Sequence, residues 1–200
     1  ETITPFKPVT EEQIGKLNQN LTAKLLKNKG ELPSDLFQKV LGDETLMDEF
    51  YASIRKRIEA ISSMITRIVK VNRNRSAQEA LKATGRNQYV DDSVLKTMPQ
   101  GEGEDTEVVF FKIGRQISMD NLEKEYALRG LKPADPYSQA AVNEADPAFA
   151  DEHPNGTQWK DGDGKWCYAI FRRGGVGRYL FVDRYDGDWL DDLWFAGVRK

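Results

Sequence analysis

The sequence predicts an α+β fold in which an N-terminal helical region, residues 1–84, precedes a domain with two helices and an antiparallel, turn-rich sheet. Two patterns indicate this division. Apolar residues recur at steps of three and four residues over 10–84, whereas from residue 107 onward short β-branched and aromatic runs alternate with Gly- and Asp-rich turns. A net charge of −3, with 39% hydrophobic and 30% charged residues, is typical of a globular chain and argues against binding to nucleic acid or anionic lipid.

Four helices are predicted in the first region. Thr10 and Gln13 have the pattern of a capping box at the start of the first helix, and Asn28 ends it. The others are predicted over 33–41, from Asp43 as N-cap onward, and over 76–83. The apolar positions of the first and third helices are Ile14, Leu17, Leu21, Leu25, Leu46, Phe50, Ile54, Ile58, Ile61, Ile65 and Ile68.

This apolar stripe has two interpretations, because a helical bundle or hairpin and a seam between subunits use the same pattern. A homo-oligomer formed through the N-terminal helices is therefore one prediction, and an intramolecular core is the other. Arg73 and Arg75, near the end of the predicted third helix, are expected to be a solvated helix end in this acidic chain. Residues 85–106 collect Gly, Asn, Asp and Pro and predict a linker, with GEGED as its most mobile part.

The second domain is predicted over residues 107–200. The run EVVFFKIGRQI favours a strand, and Ser118 or Asp120 can cap a helix that Gly130 closes. A second helix is predicted over 133–145, followed by a helical turn in DPAFADEH. Short strands are then predicted over 157–160, 165–173, 178–185 and 194–199, joined by turns such as DGDG and DGD.

Candidates for catalysis and metal binding are weak. The single histidine, His153, lies in a turn sequence, and the single cysteine, Cys167, lies in a predicted strand, so neither has an obvious catalytic partner or a zinc-ligand set. The DGDG sequence has Arg172 where a calcium loop needs its bidentate Glu, and RRGGVGR lacks the Lys and the helix of a phosphate-binding loop. The sequence predicts no catalytic residue, no metal and no cofactor, and therefore no enzyme.

The C-terminal strands alternate in character. In the first of them Ala169 and Phe171 alternate with Tyr168, Ile170 and Arg172. In the next, Leu180 and Val182 alternate with Tyr179, Phe181, Asp183 and Tyr185. The aliphatic row suits a core, and the row of aromatic and charged residues suits a surface that contacts a partner. A sheet covered on both faces by the N-terminal helices is the alternative.

From Cys167 to Arg199 the chain contains no Lys, Glu, Gln or Met, although Arg and Asp are frequent there. β-strand propensity lowers the frequency of Lys and Glu, but it does not explain the preference for Arg and Asp. Random replacement of the adenines in Asn codons cannot produce Lys, Glu, Gln, Met or Trp. Rewriting of the segment at adenines would explain this composition, and Trp166, Trp189 and Trp194 would then be fixed by the template.

The second half resembles the variable proteins of diversity-generating retroelements, in which adenine-directed mutagenesis rewrites a C-terminal segment displayed on a C-type-lectin fold. The resemblance covers residues 108–200 and rests on DNLEKEYALRGLKPADPYSQAAVNEADPAFADEHPNGTQW, WCYAIF and WFAGVRK. It implies fixed positions at Trp166, Phe171, Trp189, Trp194, Phe195, Gly197 and Arg199. It implies exchangeable, ligand-binding positions at Tyr168, Ile170, Arg172, Gly174, Gly175, Tyr179, Phe181, Asp183, Tyr185, Gly187, Leu190, Asp192 and Leu193.

The resemblance implies a ligand-binding display protein whose segment of about residues 167–194 is diversified and whose partner is a macromolecule, expected to be a protein. The C-type-lectin name describes a fold and implies neither sugar nor calcium binding. Two alternatives are a structural assembly subunit and an enzyme on a lectin-like scaffold, although copper-using oxidases of this fold class have paired cysteines where this chain has only Cys167. No apolar run of about 18 residues and no signal-peptide pattern is present, so a cytoplasmic location is the default prediction and surface display stays open.

Overall fold

A computed structural model describes residues 8–200, except for the side chain of Glu59, so residues 1–7 of the predicted helical region lie outside the described residues. The chain divides into two compact units, with the boundary between Ile54 and Arg55. The helices before and across this boundary are α1 (Glu11–Lys27), a 3₁₀ turn (Lys29–Glu31), α2 (Ser34–Leu41) and α3 (Thr45–Ser62). The mixed α and β composition predicted from the sequence is confirmed.

The N-terminal helices begin where the sequence predicts. The Thr10 hydroxyl accepts a hydrogen bond from the Gln13 amide, and the Gln13 side chain accepts one in return from the Thr10 amide, which completes the capping box. No described residue of α1, α2 or α3 is buried. The apolar stripe on these helices is therefore not covered by a core of their own, and the prediction of an intramolecular helical core is wrong for the described residues.

The second unit contains a large sheet with helices on both faces. Its elements are β1 (Ile65–Lys70), α4 (Ala77–Ala83), β2 (Asn87–Val90), α5 (Asp92–Leu95), β3 (Asp105–Lys112), β4 (Ile117–Ser118), α6 (Met119–Leu128), β5 (Leu131–Pro133), α7 (Pro136–Ala145), α8 (Phe149–Glu152), β6 (Asn155–Lys160), β7 (Trp166–Gly174), β8 (Gly177–Arg184), β9 (Asp188–Trp189) and β10 (Trp194–Arg199). The predicted helices at Ser118 and at residues 133–145, and the four predicted C-terminal strands, are confirmed within a few residues.

The strand order in the main sheet is β1–β3–β10–β6–β7–β8–β2, with β5 also paired to β10, and β4 and β9 form a separate two-stranded sheet. Most neighbours are antiparallel. Two pairs, β6 with β10 and β2 with β8, are parallel, so the prediction of a wholly antiparallel sheet is wrong at these two places. The parallel pair at β2 arises because a strand far upstream in the chain adds to the edge of the C-terminal hairpin.

The main sheet separates two hydrophobic cores. On one face, α4, α5, α7 and α8 pack against the sheet, with Val94, Phe149 and Leu180 among the buried residues. On the other face, Leu122 and Tyr126 of α6 pack with residues of β3 and β10. The strands β3 and β10 are therefore covered on both faces. Toward β7, β8 and β2 the second core ends, and one face of the sheet is left open to solvent.

Residues 65–70, predicted as the last part of the third helix, form strand β1 instead. The strand pairs antiparallel with β3, from Ile65 opposite Phe110 to Lys70 opposite Asp105. Most of the sequence ITRIVK is β-branched, which favours an extended backbone. The apolar spacing of the helix continues into this run by coincidence, because Ile65 and Ile68 fall in register with the preceding stripe.

Residues 85–106, predicted as a linker, belong to the second unit. They form β2, which pairs with β8, and α5, whose Val94 is completely buried in the first core. The predicted boundaries at 84 and 106 therefore do not separate two domains. Polar composition alone indicated mobility, but long-range pairing fixes this segment.

Arg73 holds the part of this segment that was predicted to be most mobile. Its guanidinium group donates hydrogen bonds to the carbonyl oxygens of Gly103 (2.9 Å) and Glu102 (3.2 Å) and to Ser138 Oγ (2.8 Å), and it pairs with the Asp135 carboxylate. The Arg73 side chain is only 14% exposed. The expectation that Arg73 is a solvated helix end is therefore wrong, since it anchors a loop to the N-terminus of α7.

Candidate ligand-binding face

Strands β7, β8 and β2 form the open part of the sheet, and their registers place the predicted site residues side by side. Residue 168 lies opposite 183, 170 opposite 181, and 172 opposite 179 in the β7–β8 pair. In the parallel pair, residue 89 of β2 lies opposite 181 and residue 87 opposite 179. Because side chains alternate between the two faces of a sheet, these residues share one face.

The inward side chains of β7 and β8 form what we call the core row: Ala169, Phe171, Leu180 and Val182. Each is completely buried in the first core. The outward side chains form the display row: Tyr168, Ile170, Arg172, Tyr179, Phe181 and Asp183. Each member of the display row is half-buried or exposed. The sequence prediction of an inward aliphatic row and an outward aromatic and charged row is confirmed.

Aromatic rings cover the centre of the display row. The Phe181 ring stacks on Tyr89 of β2, with centroids 5.2 Å apart and an interplanar angle of 12°. Tyr179 lies 6.1 Å from Tyr89 and 6.4 Å from Phe181, so the three rings form one cluster. Aromatic rings provide large contact areas with few rotatable bonds, and an exposed cluster of them is typical of a binding surface.

A shallow groove of about 580 Å³ lies over this cluster, and we call it the aromatic groove. Its lining residues are Tyr89, Ile170, Arg172, Gly174, Tyr179 and Phe181. Its floor and walls are mainly apolar, and Arg172 supplies the one charged group among the lining residues. The groove is open to solvent, which suits a protein segment better than an enclosed small molecule.

The segment that follows β8 borders the display row on the β7 side. Tyr185 and Trp189 both lie against Tyr168, with ring centroids 6.1 Å and 5.9 Å away. Farther along, Asp192 pairs with Arg172 at 3.5 Å. The groove is therefore bounded by β2 on one side and by residues 185–192 on the other.

Three arginines of β7 and β8 pair with carboxylates that lie outside these two strands. Asp151 of α8 accepts hydrogen bonds from Arg178 (2.7 Å) and from Arg173 (3.5 Å). Asp161, in the turn between β6 and β7, pairs with Arg184 at 2.9 Å. Hydrogen bonding to Arg178 lowers the pKa of the Asp151 carboxyl, and bonding to Arg184 lowers that of Asp161. Both carboxylates therefore remain ionised at neutral pH and keep their ion pairs with the arginines.

The DGDG sequence forms the hairpin turn that the sequence predicts. The Asp161 carboxylate accepts hydrogen bonds from the backbone amides of Asp163 and Lys165, both at 3.0 Å. Gly164 has a φ of +76°, which a residue with a side chain rarely adopts. The turn therefore fixes the position of Asp161 beneath Arg184.

The remaining predicted exchangeable residues occupy different environments. Gly174 is the last residue of β7 and lines the aromatic groove, whereas Gly175 lies in the turn to β8 with a φ of +28°. Leu190 is 47% exposed on the bordering segment, whereas Leu193 is only 1% exposed and lies in the second core. The prediction that Leu193 contacts a ligand is wrong, because its side chain packs inward beneath the segment. For the other predicted exchangeable residues, contact with a ligand stays a prediction.

Most residues expected to be fixed are structural. Phe171, Trp189 and Phe195 are buried, and Trp189 Nε1 donates a hydrogen bond to Gln158 Oε1 at 2.9 Å. A side chain at Gly197 would place its Cβ about 3.1 Å from the Leu131 and Tyr126 side chains. Trp166 and Trp194 are half-buried, and Arg199 is exposed.

The sequence prediction missed Tyr89. It lies in the segment predicted to be a linker, yet β2 brings it into contact with Phe181, and its side chain is 59% exposed. The burial of Asn87–Val90 alternates along the strand, but the sequence NQYV shows no alternation of polar and apolar residues that could have indicated it. No pattern in the sequence could have indicated that this strand pairs with β8.

The two residues with catalytic potential lie apart. His153 stacks on Phe149 and meets Trp194 edge-on just before β6, whereas Cys167 lies opposite Trp159 near the other end of that strand. Cys167 is completely buried, and burial raises the pKa of its thiol. Among residues 8–200, no group of three or more His, Cys, Asp or Glu side chains is arranged to hold a metal ion.

Within the same described range, the helices are all too short or too polar to cross a membrane. Comparison of the chain with known protein families, with curated proteins and with solved structures gave no match.

Proposed function

We propose that this chain is a ligand-binding display protein. In this proposal the second unit is a C-type-lectin-like domain, its segment of about residues 167–194 is diversified by adenine-directed mutagenesis, and the display row recognises a protein ligand. The observation that carries the proposal is the separation of the two rows. The display row, whose side chains the proposal treats as exchangeable, lies on the open face, whereas the core row lies beneath it.

The separation has a physical consequence. A substitution in the display row changes side chains that are partly in water, and such changes usually alter stability by about 0.5 kcal/mol, rising to about 1 kcal/mol where a stacked ring is lost. Truncating a large core-row side chain such as Phe171 or Leu180 leaves a cavity and costs about 2–5 kcal/mol. The face can therefore accept many sequences while the fold stays the same, which is what a diversified binding site requires.

The genetic part of the proposal is tested by sequencing the DNA that flanks the gene. We expect a near-copy of the codons for residues 167–194 that differs from the gene mainly at adenines, together with a reverse-transcriptase gene. A near-copy whose differences are unrelated to adenines would contradict the proposal.

The structural part is tested by replacing the display row as a set. Six simultaneous substitutions to residues that adenine changes can reach, at about 0.5 kcal/mol each, should lower the melting temperature of the full chain by about 10 °C or less. The matched control replaces Leu180 and Val182 of the core row and should prevent folding. If the two sets destabilise the protein equally, the display row is part of the core and the proposal fails.

An assembly role is a second candidate, favoured by the uncovered apolar stripe on α1. Glu11 and Glu12 lie in its first turn and Lys24 and Lys27 lie near its end. Two antiparallel copies of α1 would bring opposite charges together and would cover the stripe, so a second copy of this chain fits this surface. Sedimentation of the full chain should then show a dimer, and Leu21→Glu should give a monomer. A chain that is monomeric at all concentrations would exclude this candidate.

A further inference from the structure

Around the aromatic groove, the basic side chain has a carboxylate partner, whereas several acidic side chains have no basic partner among the described residues. Each of the four arginines in β7 and β8 has a carboxylate partner: Asp192 pairs with Arg172, Asp151 with both Arg173 and Arg178, and Asp161 with Arg184. Of these arginines only Arg172 belongs to the display row, and Asp192 pairs with it; the other three alternate with the display row and lie on the opposite face of the strands, where two of them share Asp151. An acidic ligand would have to compete with Asp192 for Arg172.

Four aspartates have no such compensation, and we call them the acidic rim: Asp183, Asp186, Asp188 and Asp191. All are exposed, and over residues 8–200 none of them forms an ion pair. Asp183 accepts a hydrogen bond only from the neighbouring backbone amide of Arg184, at 2.7 Å. The other members lie on the segment that borders the groove on the β7 side.

The opposite wall of the groove carries exposed aromatic faces. The ring centroids of Tyr89, Tyr179 and Phe181 lie 5.2 to 6.4 Å from one another, and Tyr89 is the most exposed of the three. The face of an aromatic ring attracts Arg and Lys side chains, and a guanidinium group stacks on it especially well. Rings and unpaired carboxylates therefore favour the same kind of ligand group from two sides.

We propose that the partner of this face is a basic protein segment that places an aromatic or aliphatic side chain in the aromatic groove and Lys or Arg side chains on the acidic rim. This inference rests on the proposed function and names the class of its ligand. The rim would speed association and orient the partner, because exposed charges act at a distance, while the groove would supply most of the contact area.

Panning a phage-displayed library of random dodecapeptides against the immobilised full chain tests this inference. We expect the enriched peptides to carry Lys or Arg beside an aromatic residue and to bind more weakly as salt is added. Synthetic versions of these peptides are then measured by fluorescence anisotropy. The rim variant Asp186→Asn/Asp188→Asn/Asp191→Asn should weaken their affinity about tenfold at low salt, the combined effect of three exposed ion pairs.

The matched control is Glu102→Gln/Glu104→Gln/Asp105→Asn, which removes the same charge from exposed positions near β3, away from the groove across the sheet. It should leave the affinity unchanged within about twofold. None of the substituted side chains in either variant has an ion-pair partner among the described residues, so both variants should fold, and circular dichroism verifies this.

Two further variants separate this inference from the proposed function. If Phe181→Ala abolishes peptide binding but the enriched peptides are neutral or acidic and ignore the rim variant, the basic partner is wrong and the display face stands. If Phe181→Ala and Tyr179→Ala leave the binding of every enriched peptide unchanged, the display face itself is wrong, and this inference fails with it.

Discussion

Adjacent residues of β8 should differ sharply in their effect on stability. Leu180 is 0% exposed and faces the first core, so Leu180→Ala leaves a cavity and should reduce the free energy of unfolding by about 3 kcal/mol. Phe181 is partly in water and loses chiefly its stacking on Tyr89, 5.2 Å away, so Phe181→Ala should cost about 1 kcal/mol. Phe181 has the larger side chain, yet it is expected to contribute less than Leu180 to the free energy of unfolding.

Tryptophan fluorescence in urea measures this difference for the second unit alone, because all four tryptophans lie between residues 159 and 194. With a denaturant slope of about 2 kcal/mol/M, Leu180→Ala should lower the unfolding midpoint by about 1.5 M and Phe181→Ala by about 0.5 M. Val182→Ala and Tyr179→Ala provide a second pair with the same expected order. Equal losses, or a larger loss at Phe181, would refute the assignment of the two rows.

Leu193→Ala should lower the free energy of unfolding by about 3 kcal/mol in the same urea assay, whereas Leu190→Ala should change it by less than about 0.5 kcal/mol, since only Leu193 is buried; similar losses would contradict this. The pKa of Asp151 is lowered by Arg178, so the stabilisation from this pair is present above the ordinary Asp value of 3.8 and is lost as the pH falls through the lower folded-state pKa. Asp151→Asn should therefore destabilise the chain at neutral pH and flatten the dependence of its melting temperature on pH in the acid range; an unchanged profile would count against the pair. The Cys167 thiol is buried and its pKa is raised, so it should react with a disulfide reagent only in denaturant. Fast labelling of the native chain would instead show that strand β7 opens.

The C-terminal half of the fold could be read from the sequence because its signals are local. Alternation in β7 and β8, the turn at DGDG and the cap at Ser118 each involve residues close in the chain, and the structure places them as predicted. The outward orientation of Tyr179 and Phe181 followed from the same alternation, since a strand has a period of two.

The parts that failed depend on partners distant in the chain. Residues 85–106 have the composition of a linker, and only pairing with β8 and the contacts of Arg73 hold them in place. Tyr89 belongs to the groove for this reason alone. Leu193 lies in a short irregular segment between Asp192 and Trp194, where no period exists to tell an inward side chain from an outward one.

Strand β10 follows the segment that we propose to be diversified, yet it lies between β3 and β6 in the middle of the sheet. A frameshift or a stop codon introduced anywhere in residues 167–193 would scramble or delete this strand and open the sheet at its centre. Such products could not fold and would be left to cellular proteases. Under the proposed function, the position of β10 would thus make folding depend on an intact reading frame through the whole diversified segment.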